Sequence, residues 1–154
     1  MRDLRTILLA EDNPKDIELT LEALYEHNLA NQVIVVKDGV EALEFLRCEG
    51  NYKMRRKGMP VVLLLDLKMP RMDGLETLQA IRSDAALKML PIVMLTSSRE
   101  EQDLIKSYEF GVNAYVVKPV DFKEFVNAVK QVGIFWAMIN EIPPIGGSSN
   151  GEKS

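Results

Sequence analysis

Five residues in this chain could do chemistry together by type and placement. The apolar run Ile7-Leu8-Leu9-Ala10 ends in two adjacent carboxylates, Glu11 and Asp12. A second run, Val61-Val62-Leu63-Leu64-Leu65, ends in Asp66. Like charges side by side are costly unless something positive sits between them. If the two runs are neighbouring strands, Glu11, Asp12 and Asp66 converge at their ends as a hard-oxygen site. Such a set, with no histidine, suits Mg2+ or Mn2+ rather than zinc. Mg2+ commonly combines one or two carboxylates with phosphate oxygens, so a phosphoryl group is the expected companion. Two further run ends supply a hydroxyl, Thr96 (followed by Ser97-Ser98), and an ammonium, Lys118, which precedes Pro119. An aspartate nucleophile, a divalent cation, a hydroxyl and a lysine are the parts needed to hold a phosphorylated carboxylate. Each has a plainer reading alone: Glu11 and Asp12 as turn residues, Thr96 as a helix cap, Lys118 as a surface charge. Their joint occurrence at strand ends favours the pocket.

The elements that must position these residues follow from periodicity. Apolar runs at 6–10, 33–37, 61–66, 91–96 and 113–117 alternate with helical patterns near 15–28, 39–48, 74–84, 100–110 and 121–140. Ile17, Leu21 and Leu24 form one helical stripe; Phe122, Phe125, Val126, Val129 and Gly133 form another. Five strand–helix repeats predict an α/β fold, a doubly wound parallel sheet with helices on both faces. The first and third runs are apolar throughout, as strands covered on both sides should be. Periodicity leaves strand order open, but 2-1-3-4-5 is a common solution for five strands. In that order strands 1 and 3 are central neighbours, and the crevice beyond their C-terminal ends is the expected site.

Composition narrows the class. The 154 residues suit one domain with a substantial core. A net charge of -4 argues against a nucleic-acid-binding face. No apolar stretch reaches the length of a membrane span and Met1-Arg2-Asp3 begins no signal peptide, so no membrane association is expected. Cys48, the one cysteine, cannot form an internal disulfide, and a cytoplasmic location is expected. It falls in a helical pattern and reads as a small buried or half-buried residue. His27 is the one histidine and reads as a surface residue, which removes histidine triads and multi-histidine metal sites. The lysine- and arginine-rich loop 49–60 could be a basic docking patch, but reads better as a solvated insertion. Beyond Glu141, IPPIGGSSNGEKS reads as a flexible tail. The expected division is a domain over 5–140 and a tail over 141–154.

Taken together, Glu11-Asp12, Asp66 with Lys68-Met69-Pro70 and Asp73-Gly74, Thr96-Ser97 and Lys118-Pro119 resemble the receiver domain of two-component response regulators over residues about 5–140. The resemblance implies a flavodoxin-like receiver fold in which Asp66 accepts a phosphoryl group from a sensor histidine kinase. It implies that Asp12, Asp66 and the Lys68 backbone carbonyl bind Mg2+ (or Mn2+), with Glu11 assisting through metal-bound water. Thr96 and Lys118 would hold the phosphoryl oxygens, and the Lys118–Pro119 peptide would be cis. Tyr115 falls where the family has a switch aromatic that turns inward on phosphorylation; the plainer reading is a fixed aromatic at the core edge. The readout surface would be the fourth helix, fifth strand and fifth helix. Such a protein is a signalling phosphoacceptor that catalyses its own phosphorylation and dephosphorylation, not an enzyme acting on other substrates. Within the family, EDNPKD, the lengthened loop before strand 3, SYEFGVNAYVVKPVDF and Phe135-Trp136 resemble single-domain regulators paired with bacterial and cyanobacterial phytochromes. One departure is Glu11, where many members have Asp.

Three other classes compete. Haloacid-dehalogenase-type phosphotransferases want a second acid two positions after the nucleophile, and here that position is Lys68. A flavodoxin-type nucleotide binder needs a phosphate-cradling loop after strand 1, where Glu11-Asp12 would repel phosphate without a metal. A receiver that works without phosphorylation would not need the full set of pocket residues. The last helix carries surplus apolar surface: Phe125, Val129 and Trp136 share one side, and Ile134, Phe135, Met138 and Ile139 lie beyond it. A homodimer through this helix, with Phe135, Met138 and Ile139 at the interface, is the expectation.

Overall fold

The computed structural model describes residues 6–27, 32–55, 58–112 and 114–134. Five parallel strands, β1 (Thr6–Ala10), β2 (Gln32–Val36), β3 (Val62–Asp66), β4 (Ile92–Thr96) and β5 (Tyr115–Val117), form one sheet in the order β2-β1-β3-β4-β5. The helices are α1 (Pro14–Glu26), α2 (Gly39–Arg47), α3 (Gly74–Arg82), α4 (Arg99–Ser107) and α5 (Phe122–Gln131). The doubly wound α/β architecture and strand order expected from the sequence are those observed.

Strand alternation explains why the apolar runs have no polar face. Ile7, Leu9, Leu64, Val93 and Leu95 point to one side, where Leu24 of α1 and Phe125, Ala128 and Val129 of α5 cover them. Leu8, Ala10, Leu63, Leu65 and Met94 point to the other, against Leu43 of α2, Leu78 of α3 and Ile105 of α4. A sheet covered on both faces needs hydrophobic side chains at every strand position.

Each helix starts on a side chain that satisfies an otherwise orphaned backbone N–H. Asn13 Oδ1 accepts from the Asp16 N–H at 3.0 Å, with Pro14 in the first turn. Asp38 and Asp121 cap α2 and α5, and Ser98 caps α4. At α3, Asp73 and Glu76 form a reciprocal capping box. Gly74 follows, and a Cβ there would run into the Asp66 carbonyl oxygen and lie 2.8 Å from Leu67 Cα. Alanine in a helix normally gains about 0.5–1 kcal/mol over glycine, but forced overpacking costs about 1–3 kcal/mol. The clash is with backbone that cannot rotate away, so the second effect wins. Gly74→Ala is therefore expected to lower stability by about 2 kcal/mol, read as a lower urea midpoint; a raised midpoint would refute the close approach.

Two expectations are corrected here. The last helix does not run from 121 to 140: it ends at Gln131, and Gly133 adopts a left-handed φ of 79°. The Ile134 N–H donates to Val129 O and the Gly133 N–H to Lys130 O, both at 3.1 Å, closing the helix with the glycine-based cap. The turn swings Ile134 into the core, so it is not part of a surplus apolar ring. Phe135, Trp136, Met138 and Ile139, and the tail over 141–154, lie outside the described residues. Nor is the described part of loop 49–60 merely a solvated insertion. Gly50–Tyr52 forms a 3-10 turn, Tyr52 packs edge-on against Phe45, and its hydroxyl donates to Glu41 at 2.6 Å. The Arg55 guanidinium lies 3.9 Å from the Phe45 ring centroid and donates to the Phe45 carbonyl.

Smaller differences follow the same logic. Phe122 is 41% exposed, its ring 4.1 Å from that of His27 rather than in the core. Cys48, half-buried, closes α2 in a left-handed conformation with φ of 56°. No described helix is long and apolar enough to cross a membrane.

Candidate metal and phosphoryl site

Register sets the geometry of the site. Ala10 pairs with Leu65, so Glu11 and Asp66 each stand one residue beyond a matched pair on neighbouring strands. Asp66 pairs with Leu95, which puts Thr96 one step further on; Thr96 pairs with Val117, which puts Lys118 one step beyond that. The Lys118 N–H donates to Thr96 O at 2.8 Å, tying this last step to the sheet. Four strand ends thus form a staircase along one edge.

Three carboxylates meet there: oxygens of Glu11, Asp12 and Asp66 lie within 4.8 Å of one another. Glu11 and Asp66 are buried and Asp12 is exposed, so the cluster opens to solvent on one side. The Lys118 ammonium reaches in from β5, 3.1 Å from Asp66 Oδ1 and 3.4 Å from Glu11 Oε1. It also lies 3.0 Å from Asp16 Oδ2, a residue of the first turn of α1.

The electrostatics record the crowding. Burial first, and then the Asp66 carboxylate beside it, raise the Glu11 carboxyl to about 7, against a partial pull downward from Lys118. One ammonium does not neutralise this many acids. Burial works against the Lys118 charge, yet the hydrogen bond to Asp16 and the charges of Asp66 and Glu11 outweigh it and leave its pKa raised. Glu11 Oε2 also accepts from the Asn13 N–H at 3.2 Å, which aligns the carboxylate at the strand end.

Thr96 is fully buried, and its Oγ1 has no hydrogen-bond partner among the described residues. A buried hydroxyl left without a partner costs about 1–3 kcal/mol, so it marks a place where an acceptor belongs. Three converging carboxylates and a donor awaiting an acceptor are the donor set that a divalent cation and a phosphoryl group fit.

The remaining sequence-derived residues fall around this centre. Lys68 lies in the loop after β3, its exposed ammonium 3.7 Å from Glu101 and so turned to a partner outside the acid cluster. The Lys118–Pro119 peptide bond is cis. Tyr115 is half-buried on β5; its hydroxyl donates to the Val112 carbonyl at 2.9 Å and the Lys106 ammonium lies 5.4 Å from the ring centroid. With Gln102, Lys106, Val112 and Gln131 it lines a cleft of about 480 Å³ between α4 and α5.

Sequence reasoning missed two contributors. Asp16 stands in the first turn of α1, three residues after the Asn13 cap, and that acid just after Asn13-Pro14 was the signal available. Arg71, at a left-handed φ of 61°, grips Asp38 with two hydrogen bonds of 2.7 and 3.1 Å. Burial disfavours the Asp38 charge, but the Arg71 guanidinium holds its carboxyl below the usual range. This clamp ties the loop after β3 to the start of α2, and no local pattern announces it.

Comparison with known proteins agrees with this geometry. Residues 7–130 match the family model of the response regulator receiver domain. Response regulator Rcp1 of Synechocystis sp. (strain ATCC 27184 / PCC 6803 / Kazusa) is 36% identical, over 90% of this chain and 93% of its own. Its Mn2+-bound form superimposes with a TM-score of 0.67, covering 90% of this chain and 97% of that one. The bacteriophytochrome response regulator RtBRR is 58% identical with a TM-score of 0.83, over 92% and 86% of the two chains. The bacteriophytochrome response regulator AtBRR is 57% identical with a TM-score of 0.85, over 90% and 99%. With the strand order, the converging acids and a family match spanning most of its length, the chain belongs to the response regulator receiver domain family.

Proposed function

We propose that this protein is the phosphoacceptor of a two-component relay, with Asp66 taking a phosphoryl group from a sensor histidine kinase, one coupled to a phytochrome-like photoreceptor. The observation that carries the reading is the convergence of Glu11, Asp12 and Asp66 beside Lys118 and the unpartnered Thr96 hydroxyl. Asp12, Asp66 and the Lys68 carbonyl would hold Mg2+, or Mn2+ as in the Rcp1 form above, with Glu11 assisting through a bound water. When bound, the cation supplies charge neutralisation for the transferring phosphoryl oxygens.

The chain's own residues do the rest. An Asp66 carboxylate oxygen forms the new O–P bond as the P–N bond to the kinase histidine breaks, and the departing imidazole keeps the electron pair. Lys118 and Thr96 then donate to the phosphoryl oxygens, which carry about -1.5 to -2 charge. Satisfying Thr96 draws its hydroxyl toward the phosphoryl group. Tyr115 gives up its bond to Val112 and turns into the space vacated, altering the α4–β5–α5 face read by a partner. Phosphate favours this arrangement because only there is the Thr96 hydroxyl satisfied. The same pocket, open to water at Asp12, would hydrolyse the aspartyl phosphate and end the signal.

Incubation with acetyl phosphate tests the reading. One acid-labile phosphoryl group is expected by intact-protein mass spectrometry with Mg2+ present and none with EDTA; uptake independent of a divalent cation would overturn it. Assembly as a homodimer through Phe135, Met138 and Ile139 rests on the sequence alone. Sedimentation of wild type against Phe135→Glu tests it: a dimer that the substitution dissociates is expected, and a wild-type monomer at tens of micromolar, with and without beryllofluoride, would end it.

A further inference from the structure

Three carboxylates surround the Lys118 ammonium: it donates to Asp16 at 3.0 Å and to Glu11 at 3.4 Å, and Asp66 Oδ1 pairs with it at 3.1 Å. Two of these have another task in the function proposed above, Asp66 as phosphoacceptor and Glu11 beside the cation. Asp16 has neither. It is not one of the three carboxylates that converge to hold a metal, yet it makes the shortest contact to the ammonium. Its placement is built in: the Asn13 cap accepts from the Asp16 N–H and Pro14 pre-sets the turn, so the first turn of α1 delivers the carboxylate to the end of β5. The contact is also well shielded, with the Lys118 side chain 15% and the Asp16 side chain 26% exposed.

We propose that Asp16 is a positioning residue that competes with the phosphoryl group for the Lys118 ammonium, holding the lysine toward α1 and lowering the pocket's affinity for a phosphoryl anion. The proposal rests on Asp66 as the phosphoacceptor and adds a residue that tunes it. A phosphoryl group on Asp66 needs the same donor that Asp66 uses now, and it brings more negative charge than the carboxylate it replaces. An ammonium already paired with Asp16 is partly neutralised and restrained. Asp16 itself stands only one ammonium away from Asp66, close enough for repulsion of the added anion to persist at physiological salt. The groups that would hold the cation, Asp12, Asp66 and the Lys68 carbonyl, do not include Asp16 or the Lys118 ammonium, so filling the metal site removes neither partner of the competing pair.

The proposal makes an opposed pair of effects. Removing the Asp16 charge takes a favourable anion from the neighbourhood of the cation and an unfavourable one from the neighbourhood of the phosphoryl group. A residue that only supported the fold would weaken both. The experiment is an amide-NMR titration of Asp16→Asn and wild type, first with Mg2+ alone and then with beryllofluoride at saturating Mg2+. Beryllofluoride is expected to bind about tenfold more tightly to the variant, equivalent to about 1.4 kcal/mol, while Mg2+ alone binds more weakly. Asp16→Glu, which keeps the charge, should return both affinities toward wild type. The tightening should vanish when Lys118→Met is combined with Asp16→Asn. Unchanged or weaker beryllofluoride binding by Asp16→Asn overturns the proposal, and so does equal tightening without the lysine, which would assign the effect to direct repulsion alone. A wild type that binds Mg2+ but no beryllofluoride would instead remove the phosphoacceptor reading, and the Asp16 proposal with it.

Discussion

Asp66→Asn is expected to abolish phosphoryl uptake altogether. The amide keeps the shape of the carboxylate but lacks the nucleophilic oxygen charge, and Asp66 is the buried acid at the strand end that Lys118 contacts at 3.1 Å. Of the other two acids in the cluster, Asp12 is exposed, and Glu11, though as buried as Asp66, has its carboxyl raised to about 7 by burial and then by the Asp66 carboxylate, which favours its protonated form. The substitution also removes one of three convergent carboxylates, so Mg2+ binding should weaken by about a hundredfold. Intact-protein mass spectrometry after acetyl phosphate treatment reads the first effect, and a Mg2+ titration followed by amide shifts reads the second. If the Asn variant gains the same acid-labile phosphate as wild type, the nucleophile lies elsewhere.

The second large effect belongs to Lys118→Met. Methionine preserves most of the side-chain volume and removes the charge, leaving Glu11 and Asp66 buried without their counter-ion. Removing one partner of a buried ion pair costs about 3–5 kcal/mol. The lower end applies here, because Glu11 already sits at about 7 and can take up a proton to relieve the crowding. Urea unfolding of the metal-free variant should therefore show a loss of about 3 kcal/mol, with much of it recovered when Mg2+ supplies the missing positive charge. A loss of the same size with and without Mg2+ would show that the lysine acts through packing. Phosphorylation should remain detectable in the variant, but amide-shift changes between Thr96 and Tyr115 on adding beryllofluoride should shrink. An undiminished response would mean that Lys118 carries no part of the switch.

What could be read from the chain alone was whatever depends on neighbours in sequence or on strand ends. Leu8-Leu9-Ala10 and Leu63-Leu64-Leu65 declare a doubly covered sheet because no position among them can face water. Periodicity placed the helix starts near 15, 39, 74, 100 and 121, within a residue of where the structure begins them behind the caps Asn13, Asp38, Asp73, Ser98 and Asp121. The acid cluster was legible for a related reason: once strands 1 and 3 are neighbours, their last residues must meet. Gly133 also carried its signal, a glycine one residue past the helix cap, but the apolar period running through it extended the helix too far.

Only the tertiary structure decided where the charges and aromatics finally stand. Asp16 reaches Lys118 across about a hundred residues of sequence because α1 lies against the end of β5, and no spacing rule encodes that distance. The Asp38–Arg71 clamp depends on two loops whose approach is set by the packing of α2 on α3. Tyr52 and Arg55 fold the start of the long loop onto Phe45, although their composition reads as solvated. Ile134 enters the core because one left-handed residue redirects the chain behind it. Periodicity reports which face a residue prefers; which partner it meets is settled by the directions in which whole elements pack.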